Sequence, residues 1–230
     1  MLKEIFLDFV GMIYPEYCQA CQGDLERGEE LICTQCRFSL PKIPSYTESN
    51  QDIARRFWGK VPVTYTLAYL KFIKHGKVQE LLHNLKYRNK PQIGELLGRW
   101  YGTELVTNCF EKVFDLVIPV PLHPTKLRKR GYNQSDGIAK GISEGLETAW
   151  SSEVIRRTVF TETQTRKHRY ERYENVASVF DLSSPEKVQD KHILIVDDVL
   201  TTGSTFEACV KLVLEKGAKK VSIFALAAAM

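Results

Sequence analysis

An α/β fold is what this sequence predicts: a central, mostly parallel sheet flanked by helices, preceded by a small cysteine-rich module. Three observations carry that expectation. Residues 193–196 read Ile-Leu-Ile-Val, a continuously apolar, largely β-branched run that suits a strand covered by helices on both faces. A second such run, DLVIPVP at residues 115–121, lies between stretches of helical periodicity. Ahead of both, Cys18, Cys21, Cys33 and Cys36 form Cys-x2-Cys-x11-Cys-x2-Cys, the spacing of two knuckles around one tetrahedral metal ion.

Length and composition are consistent with this. The 230 residues, 43% apolar and 26% charged, suffice for one medium domain with a small appendage. We expect the helix and cysteine module over residues 1–40, a connector over 41–62, and the main domain over 63–230. No run reaches membrane-spanning length, so no membrane insertion is expected. Residues 1–13 put Leu2, Ile5, Phe6, Phe9, Val10 and Ile13 on one helical face, while Glu4 and Asp8 interrupt any signal-peptide core. A packing helix and a reducing, cytoplasmic location are the expectation. The net charge of +4 is uneven: residues 1–40 sum to −4 and the remainder to +8, which makes the remainder the surface suited to nucleic acid.

Taken in order, the four thiolates of the first module close a coordination shell, so the metal expected is structural zinc, with disulfides as the alternative reading. Cys109 and Cys209 have no partner at metal spacing and are expected to be buried thiols. The module's acidity disfavours phosphate contact. Residues 41–62, with Pro41, Pro44 and Pro62, read as connector with a short helix near 53–58. A strand is expected over 63–72 and helices over 78–87 and 93–106; Lys86, Tyr87 and Arg88 read as the cationic end favoured by a helix dipole. After the strand at 115–121 comes a basic loop with His123, Lys126, Arg128, Lys129 and Arg130, then a helix over 135–146. Residues 154–177 open as a strand. Residues 161–175 are polar and basic, with Arg166, Arg169 and Arg172 beside Tyr170 and Tyr173, and read as a catalytic flap or a solvated loop.

The stretch 193–205 carries the chemistry. Asp197 and Asp198 follow the apolar strand, at the carboxyl edge where open α/β sheets bind ligands. Thr201, Thr202, Gly203, Ser204 and Thr205 then lead into a helix, a small hydroxyl-bearing turn whose free amides favour a phosphate. A receiver-type acid pair would sit on a first strand, and a P-loop enzyme needs GxxxxGK[ST], which does not occur.

The pattern ILIVDDVLTTGST resembles the phosphoribosyl pyrophosphate (PRPP) signature of type I phosphoribosyltransferases. With DLVIPVPLH, RKRGYNQS, the RRT…TQT…R…N series and the tetra-Cys ribbon in that order, nearly the whole chain is similar to the ComF family of competence-associated proteins. The part from residue 154 onward is also similar to amidophosphoribosyltransferases, at Arg157, Thr158, Gln164, Arg169 and Asn175. No glutaminase domain precedes it, so a glutamine-dependent reaction is not expected of this chain alone. The resemblance implies a type I phosphoribosyltransferase fold and, where the chemistry carries over, magnesium-dependent displacement of pyrophosphate from PRPP. It assigns Asp197 and Asp198 to the ribose hydroxyls and Val199 with Thr201–Thr205 to the 5-phosphate loop. Leu122, His123, Lys126, Arg128 and Arg130 then face the pyrophosphate, and Arg166 and Arg169 close over the site as catalytic cations. Thr201 stands where hypoxanthine-type enzymes carry an Asp, which disfavours salvage of a free purine. A second expectation is a non-catalytic factor that binds single-stranded DNA, works with other competence proteins and keeps the PRPP pocket as a sensor or relic.

Overall fold

The computed structural model describes residues 16–44, 48–158 and 179–229. The helix expected over 1–13 and the flap with Arg166, Arg169 and Arg172 lie outside the described residues.

In chain order the elements are α1 (Thr34–Ser39), α2 (Glu48–Ala54), β1 (Thr66–Lys71), α3 (Lys77–Tyr87), α4 (Gln92–Thr107), β2 (Leu116–Pro119), α5 (Pro124–Arg130), α6 (Gln134–Leu146), β3 (Ile155–Arg157), β4 (Phe180–Leu182), β5 (His192–Leu200), α7 (Ser204–Glu215) and β6 (Lys220–Ala228). Four strands make one sheet in the order β1-β6-β5-β2, and every pairing in it is parallel. The short β3 and β4 form a separate antiparallel pair.

Alternation along β5 builds two cores. Leu194 and Val196 point into one core with α3, α4 and α6; Ile193 and Ile195 point into the other with α7. Each such side chain contributes about 1.5–3 kcal/mol on burial, and a slip of one residue would exchange the faces, so the register is firmly set. Residues 41–62, read as connector, feed Ile43, Ile53 and Phe57 into the second core, and Lys42 bridges Leu70 of β1.

Two expectations need correction. The basic run after β2 is a helix, α5, not a loop. His123 caps it through Nδ1, which accepts from Thr125 N at 3.2 Å; Pro124 starts it, and Gly131 ends it at φ +83°. None of its residues is buried, so it had no apolar period to betray it. Cys109 is exposed rather than buried; it follows α4 at φ +64°, where a turn leaves the helix.

α4 and α6 pack through glycines spaced by four on each helix: Gly94, Gly98 and Gly102 against Gly137, Gly141 and Gly145. A Cβ on Gly98 would meet Ile138 O at 2.5 Å, and one on Gly141 would collide with Glu95 O. Backbone touches backbone here, so Gly141→Ala should cost about 3 kcal/mol or more, since neither main chain can yield. Urea unfolding measures this; a loss near 0.5 kcal/mol, ordinary for a surface substitution, would contradict it.

Candidate functional site

The site begins where two neighbours of β5 part company. β2 pairs with it only as far as Pro119 opposite Val196, with Val120 N donating to Val196 O at 2.8 Å. β6 continues alongside, placing Asp197 opposite Ala225 and Leu200 opposite Ala228. The acids therefore lie inside β5 rather than beyond its end, because the nine residues of β6 keep the strand paired while the four of β2 do not.

A cleft of about 210 Å³ opens on the side that β2 vacates. It brings together Asp197, Asp198, Thr205, Leu122, Lys126 and Arg130 of the sequence-derived set. It also brings in Lys86, Tyr87, Asn133, Gln134 and Arg157. Lys86 reaches in from the last turn of α3 and places Nζ 3.0 Å from Asp198 Oδ2, an ion pair with the lysine 24% and the aspartate 8% exposed. Its dipole-favoured position at the helix end is real, and the acid pair is its partner as well. Arg157 leaves Nε buried with no hydrogen-bond partner among the described residues and stacks its guanidinium over Phe180 at 5.3 Å.

The two carboxylates differ in surroundings. Asp197 Oδ1 accepts from Ser135 Oγ and from the Asp198 amide, each at 2.9 Å. Burial, then the Asp198 charge, pushes the Asp197 carboxyl up to about 7, against smaller downward pulls from those donors and Lys86. Asp198 Oδ2 is buried with the Lys86 ammonium at 3.0 Å, and no other described residue donates to it. A carboxylate oxygen takes more than one donor, so a hydroxyl from a ligand can add to the lysine there. Asn133 fixes the opposite wall, its Nδ2 donating to Val120 O at 3.1 Å and to Asp136 Oδ1 at 2.7 Å.

The hydroxyl turn follows β5. Thr201, Thr202 and Ser204 are exposed, and Thr202 Oγ1 lies 3.1 Å from Ser204 Oγ. Gly203 caps α7 at φ +87°, and a Cβ there would come within 2.9 Å of Phe57. Only glycine meets both conditions, and the first amides of α7 have no carbonyl of their own helix to reach. Residues 56 and 57 brace this turn: Phe57 packs beneath Gly203, and Arg56 donates to the carbonyls of Thr201 and Ala229. Val199 is half-buried against the first core, His123 serves as a cap, and exposed Arg128 is not in the cleft wall.

In the N-terminal module the sulfurs of Cys18, Cys21, Cys33 and Cys36 all lie within 4.8 Å of one another. Cys21 Sγ and Cys33 Sγ are 3.8 Å apart. That is about the edge of a tetrahedron with metal–sulfur bonds near 2.3 Å. Amides support the sulfurs: Cys33 N donates to Cys18 Sγ at 3.3 Å and Cys36 N to Cys33 Sγ at 3.4 Å. Burial opposes ionisation of Cys18, but its amide hydrogen bonds bring the thiol down to about 7; burial drives Cys36 up to about 12. Four thiolates this close need a cation, so the donor set fits a metal ion. Cys18, Ala20, Ile32, Cys36 and Leu40 also join the first core. Stripping metal, or Cys21→Ser, should therefore cost about 3 kcal/mol or more and lower Tm by about 6–12 °C. Metal analysis paired with calorimetry tests this; an unchanged melt after metal loss would refute it.

Comparison with known proteins bears on the same residues. A family model for the phosphoribosyl transferase domain matches residues 127–230. The DNA utilization protein YhgH of Shigella flexneri is 35% identical over 213 residues, covering 91% of this chain and 88% of that protein. The chain belongs to the ComF family. Competence protein F of Haemophilus influenzae is 25% identical and competence protein ComFC of Bacillus subtilis 26%, covering 92% and 88% of this chain and 96% and 86% of theirs. The ComF chain thus has the type I phosphoribosyltransferase fold, its parallel sheet flanked by helices and preceded by the four-cysteine cluster. Among the described residues, no helix is long and apolar enough to cross a membrane.

Proposed function

We propose that this ComF-family chain binds PRPP with Mg²⁺ in the cleft at β5, in a cytoplasmic role tied to DNA uptake. The single observation that carries the reading is the buried Asp198 carboxylate, whose Oδ2 has the Lys86 ammonium beside it and no donor from any other described residue, in the wall of a cleft lined by lysine and arginine. A vicinal diol offers further donors to that oxygen and to Asp197, each carboxylate having several acceptor positions. The 5-phosphate then lies on the turn of Thr201, Thr202, Gly203, Ser204 and Thr205, against the hydroxyls and the free amides of α7. The pyrophosphate lies toward Leu122 and His123, with Lys126 and Arg130 of α5 beside it. Mg²⁺, when bound, supplies charge neutralisation for the pyrophosphate; Asp197 and Asp198 fit it as hard oxygen donors. Arg166 and Arg169 remain assigned by resemblance as cations that close the site. The four cysteines hold structural Zn²⁺.

The printed names of the relatives, DNA utilization protein and competence protein, support extending their association with DNA to this chain. A second reading is a non-catalytic single-stranded-DNA-binding factor, acting with other competence proteins, that uses PRPP as a signal. One observation favours it: α5 carries Arg128 and Lys129 beyond the residues that line the cleft.

The test is calorimetric titration with PRPP and magnesium, run beside single-stranded DNA at two salt concentrations. The reading expects one PRPP per chain, bound more tightly than ribose 5-phosphate. No heat with PRPP would reject the cleft assignment. DNA binding unchanged by charge reversal at Arg128 and Arg130 would reject the second reading.

A further inference from the structure

Beside the cleft, and continuous with it, lies a larger cavity of about 510 Å³. The two share Lys86, Tyr87, Lys126 and Arg130, while Asn89, Lys129 and Tyr132 belong to the larger one alone. We propose that this cavity is a second binding site, for a nucleotide held by its phosphate and its base, placed so that the nucleotide abuts whatever occupies the cleft.

The charge pattern comes first. Lys86, Lys126, Lys129 and Arg130 line the cavity, and no carboxylate does among the described residues. Of the four, Lys86 is ion-paired to Asp198; among the described residues no carboxylate pairs with the other three. Like charges gathered on one concave wall repel, and an anion relieves them. Arginine and lysine at one site suit phosphate in particular.

Aromatic surface comes second. Tyr87 is 71% exposed, so a large ring stands in water at the cavity edge. The Arg130 guanidinium lies 5.4 Å from the centroid of that ring and donates to Gln134 Oε1, so both are held in place. On the other side Tyr132 is anchored by its hydroxyl, which donates to Leu85 O at the end of α3. Rings fixed next to cations are the combination that holds a base by stacking and its phosphate by charge. The volume falls within the range of ligand pockets and accommodates a mononucleotide. Asn89, at φ +52° just past α3, adds an amide able to donate to and accept from a base edge.

This proposal rests on the PRPP reading only for what fills the neighbouring cleft. A free nucleotide and the 5′-phosphorylated end of a single DNA strand present the same chemistry. The test is titration with dAMP, deoxyadenosine and inorganic phosphate, with and without saturating PRPP and magnesium, on the wild type and on Lys129→Glu. Lys129 is exposed and outside the cleft, so the variant should fold and bind PRPP normally. We expect dAMP to bind at least about tenfold more tightly than either fragment, and Lys129→Glu to remove at least about tenfold of that. Displacement of dAMP by a 5′-phosphorylated strand of about five nucleotides, and not by its unphosphorylated twin, would identify strand ends as the natural source. Failure of both strands would identify the free nucleotide. Binding of dAMP no tighter than phosphate, insensitivity to Lys129→Glu, or competition between dAMP and PRPP overturns the proposal. Loss of PRPP binding with dAMP binding intact overturns the cleft reading alone.

Discussion

Replacing Asp197 and Asp198 together by alanine is expected to abolish PRPP binding while leaving the fold intact. Each carboxylate offers a charge-assisted hydrogen bond worth about 1.5–3 kcal/mol, so the pair accounts for a loss of about 10²- to 10⁴-fold in affinity. The fold should survive, because two adjacent carboxylates, one buried and one half-buried, repel each other and removing them relieves that strain. An Asp197→Asn, Asp198→Asn variant keeps the side-chain shape and should lose binding as well. Titration calorimetry decides; PRPP bound equally by wild type and both variants would end the assignment. The same site predicts a pH dependence. With the Asp197 carboxyl raised to about 7 by burial and Asp198, the empty site holds a proton below that pH. PRPP affinity should therefore fall toward about tenfold per pH unit below about 6.5. PRPP phosphates titrate near 6 themselves, so the control is Asp197→Asn, in which the protein's share of the dependence should vanish. Stability moves in the opposite sense. Between about pH 4 and 7 the folded chain keeps a proton that the unfolded chain has released, so this group's contribution declines as pH rises through that window.

Lys86→Met should destabilise the chain more at pH 8 than at pH 6. Lys86 Nζ is 3.0 Å from Asp198 Oδ2, to which no other described residue donates, and its charge also lowers the Asp197 carboxyl. Without it, the buried Asp198 carboxylate stands beside Asp197 with no cation paired to it among the described residues. Breaking a fully buried pair costs about 3–5 kcal/mol, and the partial exposure of Lys86 reduces the expectation to about 1–3 kcal/mol at pH 8. At pH 6 a carboxyl takes up a proton and most of that cost disappears. Thermal melts at the two pH values check this, and an equal loss at both would show that the lysine acts through its stem alone. Lys86→Arg should recover much of the stability.

Much of the site was legible because it is local in sequence. Asp197, Asp198 and the turn to Thr205 sit within one short stretch, and the apolar run before them announces a strand buried on both faces. The four cysteines were equally plain, since metal spacing is written in consecutive knuckles. Lys86 was not legible. At the end of an amphipathic helix, a lysine satisfies the helix dipole whatever else it touches, and nothing in the intervening chain says that α3 ends beside β5. α5 went unread for a related reason: a short helix that buries nothing has no hydrophobic period, only its caps.

The amino-acid order alone determined the acid pair, the hydroxyl turn, the cysteine quartet and the family to which the chain belongs, because each depends on neighbours along the backbone. Only the tertiary structure decided that β2 stops at Pro119 while β6 runs on, which opens the cleft beside the acids. It also decided that Phe57 and Arg56 support the turn, and that Lys86, Tyr87, Lys129, Arg130 and Tyr132 share one cavity. These are contacts between segments tens of residues apart, set by how far each strand pairs and how closely the glycine faces of α4 and α6 approach. Such distances are fixed by packing in three dimensions, and no period or motif in the chain encodes them.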